Sequence, residues 1–182
     1  MGAAAAITGP SVDLEQMLEA RERRAARQAA ALARFAQPLV SLTIVMPGSV
    51  KDGALPRRAL TEALAEIDRV VEARGWSVLS RKVYWQETGP EALYVIGGEA
   101  EALKSACIEL EDAHPMGRLW DLDVLVPGPR LLSRKQFGLP PRRCLVCERP
   151  AFECGRSRRH GVDELLAAIA RLANERDLRR AA

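Results

Sequence analysis

The hydrophobic pattern between residues 39 and 126 switches between strand and helix periodicity in the order β-α-β-β-α-β, and that order restricts the fold more than any other feature of the chain. LVSLTIVM (39–46) is apolar, β-branched and too short for a helix, and Pro47-Gly48 stops it, so it reads as a buried strand. From Pro56 onward, Ala59, Leu60, Ala63, Leu64, Ile67, Val70 and Val71 recur at helical spacing, and Gly75 ends the run. Trp76 to Glu87 alternates as a strand, Thr88-Gly89-Pro90 supplies a turn, and Glu91 to Ile96 is the returning strand. A second helix follows from Glu99 to Asp112, with Ala102, Leu103, Ala106, Cys107 and Leu110 inward and His114-Pro115 at its end. Arg118 to Val126 is the fourth strand. The expected fold is α+β, a ferredoxin-like split βαβ antiparallel sheet with both helices on one face and the other face open.

The flanks add an N-terminal helix (11–36) and a C-terminal extension. Ser11 is placed to cap the first helix, Asp13 and Glu15 sit in its first turn, and Pro38 closes it. Its apolar stripe, Leu14, Met17, Leu18, Ala25, Leu32 and Phe35, is thin and the middle is a run of arginines, which predicts a peripheral helix. Beyond the βαββαβ core (39–127), residues 128–141 read as loop with one short strand. They open a basic, Cys-rich segment (128–160), after which Leu165, Leu166, Ile169 and Leu172 mark a C-terminal helix over 161–180. A chain of 182 residues is long enough to bury its own core, and we expect a single domain over 1–182.

With 28% charged and 48% hydrophobic residues and a net charge of +3, the chain is neither disordered nor fibrous. Four cysteines, three of them close together, argue for a reducing cytoplasm rather than a disulfide scaffold. The opening MGAAAAITGP has no charged region followed by a greasy core, so no signal peptide is read and a cytoplasmic location is expected. The apolar stretch Leu39 to Met46 falls far short of the ~20 residues that span a bilayer, so no membrane partner is expected.

Three constellations point to chemistry. On the fourth strand, alternation sends Trp120, Leu122, Val124 and Val126 toward the helices and Asp121 and Asp123 together to the other face, with Cα atoms roughly 6.5–7 Å apart. Two such carboxylates repel unless a cation lies between them, and the hard-oxygen pair suits Mg²⁺ gripping phosphate oxygens; two solvated acids on a wet face is the plainer reading. Glu109, Glu111 and Asp112 crowd a helix C-terminus, where the macrodipole disfavours them, and could supply a further ligand or a general base.

From Arg130 to His160 nine Lys or Arg residues face two acids, a segment charge of +7 against −4 for the remainder. Such a block either coats a nucleic acid, holds a small polyanion, or is simply a solvated face. Aromatics are only 4% of the chain and scarcely interleave with the arginines, so nucleic acid is the weaker partner and a phosphorylated small molecule the stronger one. Cys144-x2-Cys147-x6-Cys154-x5-His160 would complete a tetrahedral Zn²⁺ site, although the second spacing is not that of common zinc modules; the alternative is reduced thiols packed under a loop.

IELEDAHPMGRLWDLDVLVPG (108–128) and LSRKQFGLPPRRCLVCERPAFECGRSRRH (132–160) closely resemble the citrate lyase holo-[acyl-carrier-protein] synthase family, also called apo-citrate lyase phosphoribosyl-dephospho-CoA transferase. PLVSLTIVMPGSVKD (38–52) resembles the same family. The resemblance implies a nucleotidyltransferase-type reaction in which a serine of the small acyl-carrier subunit of citrate lyase attacks the α-phosphorus of 2′-(5″-triphosphoribosyl)-3′-dephospho-CoA and diphosphate leaves. A functionally parallel family serving malonate decarboxylase also depends on an Asp-x-Asp pair, which Asp121 and Asp123 match. On this footing Asp121 and Asp123 are expected to hold Mg²⁺ and Arg118, Arg142 and Arg143 to grip the triphosphate. Arg156, Arg158 and Arg159 are expected to meet either the dephospho-CoA diphosphate or an acidic carrier protein. Two alternatives stand beside this reading: the same chemistry on the malonate decarboxylase carrier, and a non-enzymatic module binding RNA on the open sheet face.

Overall fold

The computed structural model describes residues 8–181, with side chains through residue 175. Its elements run α1 (Leu14–Phe35), β1 (Leu39–Ile44), α2 (Ala54–Ala73), β2 (Ser77–Tyr84), β3 (Glu91–Gly97), α3 (Ala100–Ala113), β4 (Trp120–Val126), β5 (Arg130–Leu132), α4 (Ala151–Ser157) and α5 (Val162–Ala181), with short 3₁₀ turns at Gly117–Leu119 and Arg134–Phe137. The five strands form one sheet in the order β2-β3-β1-β4-β5, every pair antiparallel. The first four strands and α2 and α3 make the split βαβ arrangement expected from the alternating periods, and the short strand anticipated after residue 128 is β5, which pairs with the second half of β4.

The main core lies on the α2/α3 side. Val40 and Leu42 of β1, Tyr94 and Ile96 of β3, and Trp120, Leu122 and Val124 of β4 meet Ala59, Leu60 and Ile67 of α2 and Leu103 and Cys107 of α3. Burial of a large aliphatic side chain here is worth roughly 1.5–3 kcal/mol, and α5 adds Ile169 and Ala173 to the same cluster. Trp120 is fully buried, donates its indole N–H to the Ala59 carbonyl at 3.0 Å, and stacks on His114 at 4.3 Å, so His114 serves the turn rather than an open site.

The other sheet face is not open, as the alternation of periods alone suggested. Helix α1 lies across it, and the reason is written in two halves of that face. At one end Leu39, Leu93 and Val95 bury Leu32 with Phe35 and Leu125 alongside. At the other end the strands present polar groups, and α1 meets them with its arginines: Arg24 and Arg27 both pair with the buried carboxylate of Glu91, and Gln28 donates to Ser41 Oγ at 2.9 Å. A run of arginines reads as solvated surface when the acids it faces are distant in sequence. The cap of α1 is also two residues later than expected. Asp13, not Ser11, accepts from Gln16 N–H in a reciprocal capping box, while Ser11 bridges to Val50 and contacts Ser49 Oγ at 3.2 Å.

Among the described residues no helix is long and apolar enough to cross a membrane.

Candidate functional site

β4 carries the site, and its approach is set by a tight turn. Gly117 packs directly on α3: a Cβ there would stand 2.4 Å from the Leu110 carbonyl oxygen and 2.5 Å from that of Glu111, so no larger residue fits. The 3₁₀ turn takes up Arg118, which the sequence placed at the start of the strand, and β4 then alternates with Trp120, Leu122, Val124 and Val126 inward. Asp121 and Asp123 therefore emerge on the α1 face together, opposite Thr43 and Ser41 of β1. Their surroundings differ. The Asp121 side chain is 49% exposed and its Oδ1 lies 3.7 Å from Arg142 Nη1. Asp123 sits deeper, and burial, reinforced by the Asp121 charge, pushes its carboxyl up to about 6.

The outer edge of β4 is closed by side chains. Glu111, only 3% exposed, accepts the Leu122 N–H at 2.8 Å, and the buried Lys104 ammonium donates to the Leu122 carbonyl at 2.9 Å. Arg134 bridges Glu111 and Asp112. Burial raises the Glu111 pKa against the pull of Arg142. Glu111 and Asp112 are thus engaged in holding the strand edge and the segment after it, and Glu109 is exposed beside Arg74.

Arg142 reaches back from the basic segment, donating to the carbonyls of Trp120 at 2.7 Å, Arg118 at 3.0 Å and Gly117 at 3.2 Å while lying 3.7 Å from both Glu111 and Asp121. Arg118 in turn donates to the Arg143 carbonyl, and burial lowers its pKa, with Arg142 adding to the effect. These contacts fold the basic segment against the end of the sheet. Between them lies a cavity of about 430 Å³ walled by Arg118, Arg142 and Arg143 and by the apolar Val45, Met46 and Leu165. A second cavity of about 400 Å³ opens on the α1 side, where Arg21 and Arg24 of α1 and Lys51 converge on Thr43 and Thr88. Asp121, Val45 and Met46 line both, so the two cavities meet at Asp121. Lys51 donates to the Met46 carbonyl, and burial, then Arg21, lowers its pKa.

Cys144, Cys147, Cys154 and His160 converge at the far wall of the larger cavity, with their ligand atoms all within 4.8 Å of one another. Cys147 Sγ lies 3.5 Å from Cys154 Sγ and 3.3 Å from His160 Nε2. The backbone N–H of Arg149, followed by His160, lowers the Cys147 thiol to about 7, whereas burial first and Cys147 second push Cys154 up to about 11.

A sequence profile described as apo-citrate lyase phosphoribosyl-dephospho-CoA transferase matches residues 12–176. A protein of that name from Citrobacter koseri is 43% identical over 170 residues, covering 93% of each chain. Similar proteins of the same name from Escherichia coli O1:K1 and Shigella boydii serotype 18 are 41% and 40% identical over 167 residues, covering 92% of this chain and 91% of theirs. The chain belongs to this family.

Of the residues that the sequence singled out, Asp121, Arg118, Arg142 and Arg143 come together at this apo-citrate lyase transferase family member's double cavity, and Asp123 lies beside them on the same face of β4, outside both linings. Arg156, Arg158 and Arg159 do not. They sit at the exposed end of α4, where Arg158 takes a left-handed conformation (φ 47°), and none of them lines either cavity. Sequence reasoning missed Arg21, Arg24 and Lys51. The only available signal was the density of arginines in α1, which has no meaning until the sheet face beneath it is known to carry Glu91, Asp121 and Asp123.

Proposed function

We propose that this chain transfers the 2′-(5″-phosphoribosyl)-3′-dephospho-CoA group from its 5″-triphosphate precursor to a serine of the apo-acyl-carrier (gamma) subunit of citrate lyase. The observation that carries the reading is the meeting of two cation-walled cavities at Asp121, because the reaction must hold a polyphosphate and admit a second substrate at one phosphorus. In the transfer the serine Oγ forms a bond to the α-phosphorus, the bond from that phosphorus to the bridging oxygen of diphosphate breaks, and the serine proton is released. Diphosphate carries away the electron pair.

Asp121 and Asp123 fit a Mg²⁺ ion. They share one face of β4, where burial first and the Asp121 charge second raise the Asp123 pKa, and a divalent ion would relieve the repulsion between the two carboxylates. Two carboxylates with phosphate oxygens and water in the remaining positions is the usual Mg²⁺ arrangement, and the ion would neutralise charge on the leaving diphosphate. Arg118 and Arg143 on one side and Arg21, Arg24 and Lys51 on the other stabilise the same developing charge. The Arg142 guanidinium is committed to three backbone carbonyls, so it positions Asp121 and the turn rather than clamping phosphate freely. The apolar wall of the larger cavity suits the dephospho-CoA moiety, and the more polar smaller one, with Arg21, Arg24 and Lys51, suits the diphosphate. Arg156, Arg158 and Arg159, outside both cavities, suit an acidic carrier surface.

The RNA alternative loses its platform, since α1 covers the sheet face it would need. The decisive experiment mixes the protein with apo-carrier, the triphosphoribosyl precursor and Mg²⁺ and weighs the carrier. A mass gain matching the prosthetic group is expected, reduced at least a hundredfold in rate by Asp121→Ala; no gain on the citrate lyase carrier, or a gain only on the malonate decarboxylase carrier, rejects the assignment. Removal of one group that stabilises transition-state charge commonly costs about 10²–10³ in rate.

A further inference from the structure

We infer that Cys144, Cys147, Cys154 and His160 form a closed structural zinc site that fixes the basic segment as one wall of the larger cavity. Four donors from three separate pieces of chain converge on one point. Cys144 and Cys147 lie on a turn closed at its base by two backbone hydrogen bonds, Cys144 N–H to the Arg149 carbonyl at 2.7 Å and Ala151 N–H to the Arg142 carbonyl at 2.8 Å. Cys154 comes from α4. His160 returns over it because the left-handed Arg158 reverses the chain at the end of α4, with Arg159 N–H bonding the Cys154 carbonyl at 3.2 Å. That reversal lets five intervening residues bring His160 back to Cys154.

The surroundings match what a metal needs beyond its donors. A tetrahedral ion about 2.3 Å from each sulfur sets sulfurs roughly 3.8 Å apart, close to the 3.5 Å between Cys147 and Cys154. Backbone amides two residues on face two of the sulfurs: Val146 N–H lies 3.5 Å from Cys144 Sγ, and Arg149 N–H bonds Cys147 Sγ. Such amides stabilise thiolate. His160 turns Nε2 to the cluster and Nδ1 to Glu164 Oε2 at 3.0 Å, the carboxylate partner that orients a metal-bound imidazole. Three thiolates, a neutral imidazole and Zn²⁺ sum to one negative charge, which suits a segment as rich in arginine as 130–160. Soft sulfur donors in a tetrahedral set select zinc, and four protein ligands leave no open position, so the ion serves structure, not bond-making.

This inference does not depend on the transferase reading, and its test reads metal and fold directly. The full-length chain, purified without an affinity tag from zinc-supplemented cells, is expected to hold one zinc per chain, with X-ray absorption showing three sulfurs near 2.3 Å and one nitrogen near 2.0 Å. Cys147→Ser is expected to lose the metal. Glu164→Gln changes only an exposed second partner, so it keeps the fold and weakens zinc affinity about 10–100-fold in a chelator competition. Zinc far below one equivalent, together with no thiolate-to-metal absorption when Co²⁺ is added to the reduced protein, would overturn the site, as would a Cys147–Cys154 disulfide in protein taken from a reducing cytoplasm. Zinc bound without transfer activity would leave this inference standing and reject the transferase reading alone.

Discussion

Asp123 has its chemistry changed by the fold around it. Its carboxyl, raised to about 6, binds a proton more readily in the native protein than in the unfolded chain. With the proton excess on the native side, stability declines as pH rises from roughly 4 to 6, and the deficit is complete above that range. Asp123→Asn removes it. The variant is expected to be about 1–3 kcal/mol more stable than the parent at pH 7 in Mg²⁺-free buffer, with little difference at pH 4, and to transfer nothing. Denaturant titrations at the two pH values check the first part; an Asn variant no more stable at pH 7 would mean the carboxylate is relieved in some other way. The identity of this residue and its shared face with Asp121 were legible from alternation along WDLDVLV. Its burial was not, because the covering helix comes from almost a hundred residues upstream, and only the packed structure brings Arg24 and Gln28 over the face.

At the scale of elements, α1 shows where local pattern runs out. Its boundaries follow from Asp13, Gln16 and Pro38, but the thin apolar stripe marks it as peripheral only if the partner surface is assumed apolar throughout. The actual surface is apolar at one end and acidic at the other, and a helix with Leu32 and Phe35 at its C-terminal end and arginines before them complements it. The helices α2 and α3, which face a uniformly apolar layer, were readable almost to the residue. Helix α4 was not, since seven residues, among them Gly155 and Cys154, give no period to read. Because α1 holds both the packing residue Leu32 and the cavity residues Arg21 and Arg24, Leu32→Ala is expected to cost about 2–4 kcal/mol in stability and also to raise the KM for the triphosphoribosyl precursor. Equilibrium unfolding and steady-state kinetics on one preparation test both, and an unchanged KM would separate the helix from the site.

For the molecule as a whole, the proposed function implies a division of labour between cavity and rim in telling two very different substrates apart. In the proposed transfer the cavities take the nucleotide, and the exposed arginines of α4 lie outside them. Replacing Arg156, Arg158 and Arg159 together with Glu is expected to raise the KM for the carrier about tenfold or more, in a salt-sensitive manner, while leaving the KM for the precursor unchanged. An effect on the precursor instead would move these residues to the nucleotide. The sealed margin of β4 bears on the same encounter. Trp120 gives its N–H to Gly117 and its carbonyl to Arg142, Leu122 gives both groups to α3, and Val124 to Val126 are occupied by β5. Among the described residues no backbone groups are left along that margin for an extended polypeptide to zip onto, so an acceptor reaching the Asp pair cannot do so by pairing with β4. In the proposed transfer the acceptor would bring its hydroxyl to that margin from a protruding bend or a helix tip, recognised there by shape and side chains.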